Sequence, residues 1–320
     1  MIRADNLTKL YNEIPAAEGI SFHVKRGETL VLLGTSGCGK TTTLKMINRL
    51  IEPDGGEIRI DGVDIRNEKP EIFRKKIGYV LQNTGLFPHY TIAQNIAVVP
   101  RLMGWDSGKI KKRTHVLLEK LHLDPDKYLP LYPAQLSGGQ QQRVGLARAL
   151  AAEPPVLLMD EPFGALDPVT RSNIKKDLSG FDEFKDKAIV LVTHDVQEAF
   201  QLGDKICLMN KGRIVQQGSP EDLLFRPADS FVSSFFEEQK LLLEFRQITL
   251  IALFPWLPEN GDSLAGTKQI EAEKSLWEAI ELLSAEGGRL NIYDALQNKL
   301  RYASYGSLMD AFTAYKKTIS

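Results

Sequence analysis

A chain of 320 residues, 43% of them hydrophobic, is long enough to bury a full core as one large domain with a smaller one beside it. Its 40 Lys and Arg stand against 41 Asp and Glu, a formal charge of -1, which excludes an overall electrostatic pull toward nucleic acid or an anionic membrane. Any phosphate binding must therefore be local, and the two cysteines, Cys38 and Cys207, far apart in sequence, fit reduced thiols better than a disulfide framework.

The opening "MIRADNLTKLYN" has neither the basic region nor the apolar run of a signal peptide, so the expectation is a cytoplasmic chain. Up to about residue 30, short apolar runs alternate with turns, as in "GISFHV" before "KRGE", and predict antiparallel strands. "TLVLLG" then reads as a continuous apolar strand, followed by a glycine-rich turn and by "KTTTLKMINRLI", where Leu44, Ile47 and Ile51 recur at helical spacing. "GEIRIDGVDI" returns to strand and turn. Over about 91–153 helical patterns dominate, among them "IKKRTHVLLEKLHL", which predicts an inserted helical subdomain. The α/β pattern resumes with the buried strands "VLLMD" and "AIVLVTH", and "KICLMNKGRIVQQG" predicts a hairpin turning at Lys211-Gly212. A first domain is expected over 1–235.

Residues 236–267 read as a link of undefined structure. They hold the most membrane-like stretch, "LLLEFRQITLIALFPWL", but Glu244, Arg246 and Gln247 break it short of the roughly 18 uninterrupted apolar residues of a span, so it reads as core. "SLWEAIELLSAEGGRLNIYDALQNKLRYASYGSLMDAF" predicts helix, strand, turn, strand, helix, a small α/β unit within 268–320.

Chemistry concentrates in "GTSGCGKT", residues 34–41, the P-loop pattern of two glycines followed by Lys and Thr. Between a strand and a helix start, such a loop turns its N–H groups inward and puts the positive helix end at a phosphate. Gly34, Thr35, Ser36, Gly37, Cys38, Gly39, Lys40, Thr41 and Thr42 are thus candidate nucleotide contacts. Lys40 is placed to meet the β- and γ-phosphates, and Thr41 to offer a hydroxyl to Mg²⁺. In "VLLMDE" a buried strand ends in Asp160 and Glu161, one carboxylate to support Mg²⁺ and its neighbour to orient and activate a water. Alone the acidic pair would say little, since many parallel strands end that way; with the P-loop it points to nucleotide hydrolysis.

"LSGGQQQR", residues 136–143, resembles the signature sequence of ATP-binding cassette (ABC) ATPases. Further residues fall in that family's order: Tyr11 resembles the aromatic that stacks on adenine, Gln82 the Q-loop glutamine, Asp167 in "GALD" the D-loop residue, and His194 the switch histidine. Singly, Tyr11 reads as a half-buried strand residue, Gln82 as a polar strand end and His194 as a capping histidine; their order around two phosphate-site elements favours the other reading. The resemblance covers roughly residues 1–235. It implies an α/β fold: a P-loop NTPase core of the ABC ATPase type, with an antiparallel β subdomain and the helical insert. It implies ATP and Mg²⁺ as cofactors, with Thr41, Gln82 and Asp160 toward the metal. Lys40 and His194 would stabilise charge on the γ-phosphate, and Glu161 would polarise the water. Ser137, Gly138, Gly139 and Gln140 would close over the ATP of a second copy, making a homodimer.

"QNTGLFPHYTIAQNI", residues 82–96, resembles the importer-type stretch that receives the coupling helix of a membrane permease, with Leu86 and Phe87 as exposed apolar contacts beside Pro88. The wording of the P-loop and Q-loop stretches looks most like the ATPases of glycine betaine, carnitine and choline (quaternary amine) osmoprotectant importers. The implied partners are permease subunits and, indirectly, an extracytoplasmic substrate-binding protein, with no nucleic acid; the implied location is the cytoplasmic face of the inner membrane. A soluble ABC-type ATPase acting on a macromolecule in DNA repair or translation is the alternative. The tail resembles one CBS motif, but Ser304 is followed three residues on by Ser307 where that family often has Asp. A packing or dimerisation role and a ligand sensor both stay open for it.

Overall fold

The computed structural model describes residues 1–164, 181–259, 268–286 and 288–319. Contacts divide the chain into two compact units, Met1–Ser219 and Pro220–Ser320.

In the first unit, β1 (Ile2–Tyr11) and β2 (Ile14–Val24) pair antiparallel. A period-two pattern buries Ile2 and Ala4 on one strand and Ile20, Phe22 and Val24 on the other, and a register shift between Ala4 and Leu7 puts Leu7 in the core as well. With β4 (Gly55–Ile60) and β5 (Val63–Asp64) they form a sheet of order β2-β1-β4-β5. Between these lie β3 (Thr29–Gly34) and helix α1 (Lys40–Ile47).

The second sheet of this unit has the order β10-β9-β3-β8-β7-β6. Its further strands are β6 (Ile77–Val80), β7 (Val156–Asp160), β8 (Ala188–Thr193), β9 (Lys205–Asn210) and β10 (Arg213–Gly218). Strands β9, β3, β8, β7 and β6 run parallel, and β10 closes one edge antiparallel to β9. Every residue of β7 and β8 is buried, as apolar runs covered on both faces must be. The β9–β10 hairpin turns at Lys211 (φ 45°) and Gly212 (φ 80°), where the sequence places it.

After a short α2 (Pro70–Phe73), the helical stretch comprises α3 (Ile92–Leu102), α4 (Ser107–Lys120), α5 (Pro125–Tyr128) and α6 (Gly138–Leu150). α3 packs on both α4 and α6. Glu183 fastens α4 to the segment before β8, accepting from Arg113 (2.9 and 2.7 Å) and from Lys120 (2.8 Å).

The second unit has its own core, including Phe245, Leu250, Leu253, Leu276, Ile292 and Phe312. Its sheet has the order β11-β12-β13: β11 (Lys268–Glu271) runs parallel to β12 (Leu290–Asp294), and β13 (Lys299–Ala303) antiparallel to it. Helices Leu276–Glu286 and Tyr305–Ile319 flank the two later strands in the chain, in the order the sequence predicts. Compact packing divides the chain at Ser219/Pro220 rather than near 235, because the helices from Pro220 onward contact those of the second unit. The segment expected as an undefined link is helical over Lys240–Gln247 and Leu250–Leu253 and supplies part of this core. Within it Glu244, 1% exposed, accepts from Lys316 at 2.9 and 2.8 Å. Among the described residues, no helix is long and apolar enough to cross a membrane.

Candidate active site

Parallel neighbours β3, β8, β7 and β6 end on the same edge of the sheet, so their following loops converge. Those loops carry Gly34–Thr41, His194, Glu161 and Gln82, residues far apart in sequence.

In the first loop, Gly37 (φ 78°) and Gly39 (φ 101°) take left-handed conformations. A Cβ on Gly39 would lie 2.1 Å from Ala16 O, whereas one on Gly37 would meet nothing within 4 Å. Thr35, Ser36 and Gly37 are exposed, Cys38, Gly39 and Lys40 are buried, and Thr41 and Thr42 are half-buried. Lys40 Nζ donates to Gly34 O (2.7 Å) and Thr35 O (2.8 Å), holding its charge inside the loop. Thr41 Oγ1 donates to Asp160 Oδ1 at 2.9 Å, joining the start of α1 to the end of β7.

Burial pushes the Asp160 carboxyl above the usual carboxylate range; the Thr41 hydrogen bond lowers it and the Glu161 charge raises it further. Burial, with a contribution from Asp160, likewise raises the Tyr79 phenol. Glu161 has φ 44°, a left-handed position uncommon for a residue with a side chain, and its N–H donates to Val192 O at 2.9 Å. Its carboxylate is held from two sides: Gln82 Nε2 donates to Oε2 at 2.8 Å, and His194 Nδ1 lies 3.2 Å from Oε1. The backbone on either side of His194 is braced. Asp195 N donates to Thr193 Oγ1 (3.0 Å), and Asp195 Oδ1 caps the following helix by accepting from Glu198 N (3.0 Å).

The structure thus brings Lys40, Thr41, Asp160, Glu161, Gln82 and His194 to one edge. Tyr11 ends β1 and is exposed, with Lys9 Nζ 5.9 Å from its ring centroid. Ser137, Gly138 and Gly139 start α6 and share none of the hydrogen bonds described for the P-loop. Asp167 lies outside the described residues.

Polar residues of the signature stretch hold up their own helix. Ser137 Oγ accepts from Gln140 N (3.3 Å) and Gln140 Oε1 from Ser137 N (2.9 Å), a reciprocal capping box. Gln140 Nε2 donates to Tyr128 OH (3.0 Å), and Gln141 Nε2 donates to Pro133 O (3.0 Å) and Leu136 O (3.2 Å). Sequence reasoning missed this role, although a Ser with Gln three residues later is its signal. It also missed Asn95, fully buried, whose Nδ2 donates to Phe87 O, Tyr90 O and Thr91 O (3.1 Å each) and whose Oδ1 accepts from Phe87 N (2.8 Å). That brace presents Phe87 and Tyr90 to solvent, ring centroids 5.3 Å apart; Leu86, expected to be exposed, is half-buried.

The oxygens of Thr41 and Asp160, with the Gln82 amide beside Glu161, suit a hard divalent cation such as Mg²⁺. The glycine cradle and buried ammonium before them suit a nucleotide's phosphates. The site therefore fits ATP with Mg²⁺.

Comparison with known proteins agrees with this chemistry. The ABC transporter family profile matches residues 17–164. The choline transport ATP-binding protein OpuBA of Bacillus subtilis is 45% identical over 89% of this chain and 73% of its own length. The glycine betaine uptake system ATP-binding protein YehX of Escherichia coli is 45% identical over 90% of this chain and 92% of its own. The osmoprotectant import ATP-binding protein OsmV of Salmonella typhimurium is 49% identical over 76% of this chain and 65% of its own. Among solved structures, a dimeric bacterial ABC transporter cassette aligns with a TM-score of 0.63 at 34% identity, covering 68% of this chain and 98% of that one. A post-hydrolysis dimer of that cassette bound to ADP and phosphate aligns with a TM-score of 0.62 at 33% identity over the same shares. With its P-loop, its Thr41–Asp160 pair and these relatives, the chain belongs to the ABC transporter family, as an ATPase of the ATP-binding cassette type.

Proposed function

We propose that this chain hydrolyses ATP to power a separate membrane permease that imports a quaternary ammonium osmoprotectant of the glycine betaine, carnitine and choline class. The observation that carries the substrate class is the extent of the likeness. The match to the glycine betaine relative runs over 287 residues and 92% of that protein, so it continues past the end of the first unit at Ser219. The names of the choline and osmoprotectant relatives point the same way.

In the site, Thr41, Asp160 and Gln82 would hold Mg²⁺, which would neutralise charge on the phosphate oxygens. Lys40 turns its ammonium to the β- and γ-phosphates while the backbone N–H groups of residues 34–42 cradle them. Glu161 accepts from and orients the attacking water, its carboxylate steered by Gln82 and His194, and His194 adds a donor toward the γ-phosphate. Tyr11 offers an exposed ring to adenine. A second copy of the chain completes each site, with Ser137, Gly138, Gly139 and Gln140 facing the nucleotide held by the partner. In this reading the Phe87–Tyr90 face receives the permease and the chain works at the cytoplasmic side of the membrane.

The test is ATP hydrolysis by the chain reconstituted with its permease in vesicles, with solutes offered one at a time. Glycine betaine, carnitine or choline should stimulate turnover, and sulfate should not. Stimulation by none of the quaternary amines would sink the substrate class; recovery of the chain from cells with ribosomes or DNA instead of multi-helix membrane chains would sink the importer itself.

A further inference from the structure

Near the end of α6, Arg148 reaches across to the loop that follows β6. Its Nη1 donates to Gly85 O (2.7 Å), its Nη2 to Thr84 O (2.8 Å), and its guanidinium carbon lies 5.9 Å from the Phe87 ring centroid. Two N–H groups on neighbouring carbonyls, with an aromatic ring alongside, is a set of contacts that a rigid planar fork makes and a lysine does not. Glycine at position 85 suits the local backbone. Gly85 has φ 57°, and a Cβ on it would come 2.6 Å from the Leu81 side chain.

The described partners of Arg148 are carbonyls and a ring, with no carboxylate among the described ion pairs. Burial accordingly lowers its pKa with nothing to offset the shift. A half-buried charge with no carboxylate partner among the described residues adds little stability. Its position has a clear mechanical consequence, however. Thr84 lies two residues after Gln82, whose Nε2 grips Glu161 Oε2, and Phe87 lies two residues after Gly85 on the exposed face. The helix that carries Arg148 begins at the Ser137 cap.

We propose that Arg148 is a positioning residue for ATP hydrolysis: by pinning Thr84 and Gly85 to α6, it holds Gln82 where it steers the Glu161 carboxylate. The same pin links that carboxylate to the Phe87–Tyr90 face on one side and to the signature helix on the other. A shift at either place then changes the aim of Glu161 without touching the phosphate cradle. This inference rests on the role given above to Glu161.

The test is a double-mutant cycle on the full-length chain, reading kcat, KM for ATP and direct nucleotide affinity for R148M, Q82A and the pair. R148M keeps the apolar stem and removes the fork. It should lower kcat by roughly tenfold to a hundredfold, as misplacement of a catalytic group does, with nucleotide affinity within about twofold of the parent. R148K, with a charge but no fork, should fall between. If Arg148 acts through Gln82, R148M/Q82A is no slower than the slower single variant. Effects that multiply, or affinity that falls in step with kcat, would overturn the proposal. Should R148M not fold, R148K takes its place in the cycle with Q82A, and a multiplicative effect there overturns the proposal equally. E161Q in the same assay separates the two claims: normal turnover there defeats the role of Glu161, whereas an inactive E161Q with a multiplicative cycle defeats Arg148 alone.

Discussion

Glu183 carries the attachment of the helical subdomain to the sheet, and its replacement by Gln has a calculable cost. Hydrogen bonds from Arg113, then from Lys120, outweigh burial and hold its carboxyl down to about 2 from an ordinary 4.5. The Glu183 and Arg113 side chains are only 11% and 13% exposed, so solvent screens the pair little. A carboxyl lowered that far contributes about 3 kcal/mol at neutral pH, and E183Q should lose about 2–3 kcal/mol of it, since Gln still accepts a hydrogen bond. The sign is set by the downward shift: the stabilisation is fully present above the unfolded value of 4.5 and disappears as pH falls toward 2. Urea unfolding of the parent and E183Q should therefore differ most at pH 6–7 and by less than about half as much at pH 3. A gap that stays constant from pH 6 to pH 3, or one below about 0.5 kcal/mol at pH 7, would refute the reasoning.

Three further outcomes follow from the site. Without nucleotide, G37A should cost only the left-handed backbone, about 1–2 kcal/mol, whereas G39A adds a clash with Ala16 O and should cost about 2–5 kcal/mol; equal melting shifts would contradict the cradle geometry. S137A should lose both the helix cap, about 1 kcal/mol, and turnover, while S137N restores the cap without the turnover; recovery of both by S137N would reduce Ser137 to a structural role. Because burial raises the Asp160 carboxyl, its ionised form is disfavoured in the fold. Mg²⁺ affinity should accordingly fall on acidification above the ordinary carboxylate range, and D160N should weaken Mg²⁺ binding while raising the metal-free melting point; an unchanged or lower melting point would count against that burial.

The parts of the site that were legible in sequence are those whose chemistry is local. Gly34 to Thr41 must be contiguous to wrap phosphates, and Asp160 and Glu161 must follow a buried strand, so both show as short patterns. The closure of Gln82 and His194 on Glu161 was not legible from spacing. It arises from a strand order, β3-β8-β7-β6, in which spatial neighbours are remote in the chain. Resemblance to a family supplied those residues where periodicity could not. Supporting residues stayed hidden for a different reason. Asn95, Gln141 and Arg148 act through backbone carbonyls of other segments, and a carbonyl leaves no trace in the residue type that bears it. The boundary at Ser219 was obscured because amphipathic helices after it could pack on either unit.

The proposed hydrolysis turns on the carboxylate of Glu161, gripped by Gln82 and His194, orienting the water that attacks ATP. Replacing it with Gln keeps the size and the contacts but removes the charge. Single-turnover hydrolysis by E161Q, measured beside its ATP affinity and its association state, is the most direct test. ATP should bind about as tightly as to the parent, an ATP-bound dimer should accumulate, and hydrolysis should be slower by at least about a hundredfold. Hydrolysis at the parent rate with ATP bound would contradict that role of the carboxylate.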